Sequence, residues 1–257
     1  MLKGWTWASL PLLAIGALLA VVPHFWFQAR AFVFLGVLAL FAAELAIIGK
    51  LIQGRFAGAF IDNRNRLSLS KLQAGAWTVI VLSALATAAA FNLVHGENGA
   101  TVTALDVVIP PDLLLAMGIS ATSLVATPAL LSLKAAQQPQ AGAGDDAAAR
   151  LNLAGGIGSN GKLLTLNDPS DASWADLVTG DELGNAGTPD LGKIQQAFIT
   201  LILLACYADY VFVSFASANL PTIGTLPGVD QSFVWLMGIS HASYLAYKAA
   251  PHTQSAS

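Results

Sequence analysis

Three ionisable residues stand inside long apolar stretches: Glu44 in "LALFAAELAIIGK", Asp209 in "LLACYADYVFV" and His241 in "LMGISHASYLA". Charge is costly in hydrocarbon, so such residues mark a proton relay, an ion path or a hydrogen bond that holds helices together. Glu44 precedes Lys50 by six residues and His241 precedes Lys248 by seven. At about 1.5 Å of helix rise per residue both lie roughly 10 Å from the same boundary, which allows them to pair. Asp209, between Tyr207 and Tyr210, falls near the outer end of its stretch and reads as an interfacial carboxylate.

The letters MGIS occur twice, at Met117–Ser120 and Met237–Ser240. On a helix, Gly118, Thr122 and Ala126 share one face, and Gly238, Ala242 and Ala246 repeat the pattern. Small residues at that spacing let another helix approach closely. The opposite face carries Ser120, Ser123 and Thr127 in the first helix and Ser240, Ser243 and Tyr247 in the second. Those hydroxyls either bond back to the carbonyl one turn earlier or line a polar path with Glu44, His241 and Asp209. His241 stands where the first helix has Ala121.

Other chemistries find no support. HExxH, GxSxG and a catalytic carboxylate pair are absent, and Ser120 and Ser240 sit mid-helix rather than on a nucleophile elbow. The expectation is a protein that is not an enzyme and has no cofactor. Cys206 is the single cysteine, which reads as a packed apolar residue, and no His/Cys cluster offers a metal site. "GGIGSNGKL" imitates a phosphate loop up to Gly161 and Lys162, but Leu163 stands where a hydroxyl would hold magnesium.

The elements that position these residues follow from composition. Of 257 residues 55% are hydrophobic and 11% charged, too little charge to cover a water-facing surface. The expected fold class is an all-α integral membrane protein with six transmembrane helices, near Trp5–Trp26, Ala31–Ile48, Ala74–Leu93, Leu113–Leu133, Ala197–Phe215 and Phe233–Ala250. With the N-terminus inside, Lys3, Lys50, Arg55, Arg64, Arg66, Lys71, Lys134, Arg150, Lys162, Lys193 and Lys248 are all cytoplasmic and only Arg30 is outside. That bias puts both termini in the cytoplasm and the protein in the inner membrane. It also accounts for the basic cluster at Arg64 and Arg66 without nucleic acid.

"LSKLQAGAWTVIVLS" (Leu69–Ser83) aligns without gaps on "LGKIQQAFITLILLA" (Leu191–Ala205), and an MGIS helix follows each. The expected organisation is an N-terminal hairpin (1–54), a first hairpin repeat (62–134), an acidic linker (135–183) and a second repeat (184–254). The repeats are parallel, about an axis along the membrane normal. The connection from 135 to 190 holds eight acids against Arg150 and Lys162. Its first part reads as flexible; its second, from Asp168 to Gly180, as a short interfacial helix with Trp174, Leu177 and Val178 on one face. Two functions fit: an oligomeric channel or transporter for a small ion or solute, or a non-catalytic anchoring subunit that docks a cytoplasmic partner on the acidic linker.

Overall fold

The computed structural model describes residues 2–96, 105–153, 156–217 and 222–250. All six apolar stretches are helical. They are α1 (Leu2–Phe25), α2 (Arg30–Gln53), α3 (Leu69–His95), α4 (Pro111–Ala135), α6 (Leu191–Ser217) and α7 (Gln231–Ala249), with a short α5 (Ala143–Leu151) and a two-stranded hairpin, β1 (Gly158–Asn160) and β2 (Leu163–Thr165), between α4 and α6. Among the described residues, four helical segments are long and apolar enough to cross a membrane: Phe27–Gln53, Leu69–His95, Pro111–Ala135 and Leu191–Ser217.

Local chemistry sets the helix ends. Ser68 caps α3 by accepting from the Lys71 amide, and Pro111 opens α4 with Asp112 in its first turn. Asp190 accepts from the Lys193 amide at the start of α6, and Asp230 from the Ser232 amide at the start of α7. Each satisfies an amide that a helix start leaves without a partner.

α3 is the central helix, packed on α1, α2, α4 and α6, while α7 packs on α4 and α6. The core between them joins Phe34 of α2, Trp77, Val81 and Ala84 of α3, Leu113 of α4, Leu203 and Tyr207 of α6, and Met237 of α7. Arg30, the cation expected outside, is buried over the Phe27 ring at 4.2 Å. That end is closed by Asn92, whose side chain exchanges hydrogen bonds with both backbone groups of Ile223.

At the other end the acidic linker is a folded cap. Ala143, Ala147, Leu164, Leu183 and Ala186 form its own small core. The segment resembling a phosphate loop is the β-hairpin, whose Gly161 turns at positive φ against the end of α4, where a side chain would overlap Ala135 O. The expected interfacial helix is two 3-10 turns, Pro169–Asp171 and Trp174–Leu177. Asp168 does cap the first of them, but Trp174 is exposed while Leu177 packs against Ile61 and Leu67.

A close crossing ties α2 to the loop that precedes α3. A Cβ on Gly49 would lie 2.6 Å from Ala59 N. Alanine gains about 1 kcal/mol over glycine inside a helix, whereas overpacking costs about 1–3 kcal/mol. Here the obstacle is backbone, which cannot turn aside, so the cost wins. Gly49→Ala is expected to lower the unfolding midpoint in detergent, and Gly16→Ala, where no atom lies within 4 Å, to leave it unchanged or raise it.

Candidate functional site

The cap is fastened to the helices by buried ion pairs that centre on one carboxylate. Asp181 Oδ1 lies 3.0 Å from Arg64 Nη2, 3.0 Å from Lys193 Nζ and 3.4 Å from Arg66 Nη1, and Oδ2 lies 2.7 Å from Lys248 Nζ. The four cations come from the loop before α3, the start of α6 and the end of α7. Asp176 takes Arg66 at 3.1 Å, Asp62 takes Arg64 at 2.7 Å, and Glu182 takes Lys134 of α4 at 2.5 Å. Backbone carbonyls fill most of the remaining donor positions: Gly180 O for Arg66, and Asp176 O and Thr179 O for Lys193. Of the eight acids in the connection, Asp176, Asp181, Glu182 and Asp190 are buried; Asp145, Asp146, Asp168 and Asp171 face solvent.

Burial works against the charged form of Asp181, but Lys193, Lys248, Arg64 and Arg66 overcome it and hold its carboxyl well below the usual range. For Arg64, burial pulls down, but Asp181 and Asp62 more than offset it and raise the guanidinium above its ordinary value.

One to two turns further in, four helices share a buried polar layer. Gln73 of α3 donates to Thr200 Oγ1 of α6 at 2.8 Å and accepts from Gln196 Nε2 of α6 at 2.8 Å. Gln196 Nε2 also lies 3.3 Å from His241 Nδ1 of α7, which Ser123 Oγ of α4 approaches at 2.5 Å. An amide nitrogen cannot accept, so Nδ1 is the acceptor and the ring proton sits on Nε2. Ser70 and Thr127 bond at 2.9 Å nearer the cap. Ser123 and His241 stand at the distance of a nucleophile and its base, but Ser123 is fully buried.

Several sequence expectations change here. Glu44 is buried but does not meet His241: α2 packs on α1, α3 and α6, and α7 lies beyond them. Glu44 Oε2 has no partner among the described residues. The faces of the MGIS helices are reversed within the chain. Ser120, Ser123 and Ser240 point inward, while Gly118, Thr122, Ala242 and Ala246 are exposed and Ala126 and Gly238 half-buried. On that inward face Ser123 and Thr127 find partners in His241 and Ser70, while Ser120 Oγ and Ser240 Oγ are buried with none among the described residues. Ser243 is exposed, apart from the other serines, and Asp209 and Cys206 are exposed on α6.

The aligned letters of the two hairpins do not occupy equivalent faces. Gln73 is buried and Gln195 exposed; Thr78 is exposed and Thr200 buried. The buried faces instead match one residue further along: Gln73 with Gln196, Trp77 with Thr200 and Ile80 with Leu203, then Ser120 with His241, Ser123 with Tyr244 and Thr127 with Lys248. One residue is about 100° of helix rotation. The charge lock was missed in the sequence, where its basic members were assigned to topology and its acids to a linker that docks a partner.

Comparison with protein families, with curated proteins and with solved structures returns no match for this chain.

Removing the Asp181 charge leaves four buried cations short of a counterion, and breaking a buried pair costs about 3–5 kcal/mol. Asp181→Asn is expected to destabilise the cap by that order, while Asp168→Asn at an exposed turn changes little. Exchange of the Leu164 and Leu166 amides, bonded to Asp181 O and Arg64 O, reports it. The pH dependence follows from the lowered pKa. The contribution of Asp181 is complete above the unfolded carboxyl value near ~3.9 and is lost as pH falls through the lower folded value. Protection of the same amides is therefore expected to persist at pH 5 and to fail only below about pH 4.

Proposed function

We propose that the protein is a six-span inner-membrane anchor with both termini cytoplasmic, whose cap is a rigid platform for a cytoplasmic partner. The Asp181 lock carries this reading: it ties the cap to α6, α7 and the loop before α3, so that the bundle and the cap form one body. A second observation agrees with it. The side-chain atoms Ser120 Oγ, Ser240 Oγ, Gln196 Oε1 and His241 Nε2 are buried with no hydrogen-bond partner among the described residues, a setting that favours a packed layer over an open conduit. The four exposed acids of the cap, two on α5 and two at the Pro169–Asp171 turn, offer negative charge to a basic partner. The outward small-residue faces of α4 and α7 suit contact with other helices, in a homo-oligomer or a larger assembly.

Transport of a small solute is the second reading. It draws on the unpartnered polar atoms of the layer, which offer hydrogen bonds to a substrate once the helices part.

Two measurements separate the readings. Gentle extraction from native membranes is expected to retain a stoichiometric basic partner, lost when Asp145, Asp146, Asp168 and Asp171 are all replaced by Asn. A partner that is absent, or indifferent to those acids, counts against the anchor. Vesicles holding the purified protein are expected to be no more permeable to protons, potassium or small polar solutes than empty ones; flux abolished by His241→Ala would establish transport instead.

A further inference from the structure

The outer half of the bundle holds a crevice that the anchoring reading does not use and on which it does not depend. It opens between α6 and α7 beside residues Gly228–Asp230 and encloses about 380 Å³, within the range of small-molecule sites. Its walls are mostly apolar and include the aromatic Trp77, Tyr207, Tyr210 and Phe233 beside Met237, and among the described residues Asp230 is the only charged one lining it. Asp230 is exposed at the rim. Its Oδ1 accepts from the Ser232 amide at 2.9 Å and from the Ser232 hydroxyl, and the Ser232 bonds hold its carboxyl below the ordinary value. Met237 lies seven residues further along α7, roughly 10 Å deeper. Trp77, packed on Tyr207 at 5.8 Å, is 2% exposed, and its indole N–H has no partner among the described residues.

These features select a ligand by charge and shape. Aromatic faces attract organic cations. A carboxylate at the mouth adds to that attraction, and among the described residues no lysine or arginine lines the crevice to pair with an anion. Below the rim the wall is apolar and accepts a hydrocarbon chain.

We propose that this crevice binds an amphiphile with an ammonium headgroup, the cation held at the rim by Asp230, Tyr210 and Phe233 and the alkyl chain running down to Trp77 and Met237.

Cys206 makes the site measurable. It is the only cysteine in the chain, it is exposed, and it stands in the crevice wall. The full-length protein in uncharged dodecyl maltoside micelles is alkylated with N-ethylmaleimide, with dodecyltrimethylammonium or dodecanoate added at equal mole fraction. A cationic micelle surface by itself favours thiolate and speeds alkylation, and an anionic one slows it, so protection is read as slowing relative to an amphiphilic model thiol in the same micelles. Dodecyltrimethylammonium is expected to protect Cys206 and dodecanoate not to. Asp230→Asn, which keeps a good helix cap, is expected to raise the concentration needed by roughly tenfold, and Tyr210→Ala at an exposed position to weaken it as well. Circular dichroism checks that both variants are folded. Equal protection by cation and anion, no protection by either, or protection by the cation unchanged in both variants would overturn the proposal.

Discussion

The carboxylate of Asp181 organises the charged end of this protein. Four cations from three separate parts of the chain converge on its two oxygens. A single buried anion facing four cations is an unstable arrangement by itself. It holds because Asp62 and Asp176 share the load on the arginines and because backbone carbonyls solvate the remaining N–H groups. The cap must be folded to supply those carbonyls, and the helix ends must be in place to supply the cations. Each therefore depends on the other.

The same dependence reaches into the bundle. Lys193 and Lys248 point into the lock, which fixes the rotation of α6 and α7 about their axes. Residues one to two turns along the same faces, Gln196 and His241, are then brought toward Gln73 and Ser123. The polar layer and the lock are two levels of one set of helix faces. Between four apolar helices such a layer specifies which faces meet, because any other rotation would leave amide and imidazole groups in hydrocarbon. Towards the opposite end the faces become aromatic and part to leave the crevice above Trp77.

Much of the fold was legible in the sequence. Apolar length alone located all six helices, and residue type placed a helical start at Asp168. The folded cap was not legible. Its segment is rich in Ala, Gly and Gln, its helix and strands are short, and its core uses small residues such as Ala143, Ala147 and Ala186. The acids were visible but their partners were not, because Asp181 and Arg64 are far apart in the chain. The same count of acids describes a solvated face and a buried lock equally well.

What the sequence determined by itself was periodic and local: helix lengths, caps, the segregation of basic residues to one side, and the faces on which Ser, Gly and His fall relative to one another. What only the tertiary structure decided was which face turned inward. The alignment of the two hairpins set Ala121 opposite His241, but packing sets Ser120 there, one residue and about 100° away. Helix rotation is not a property of one helix. It is chosen by the summed burial of apolar faces and by the few polar groups, here Lys193, Gln196, His241 and Lys248, that must find partners on other helices.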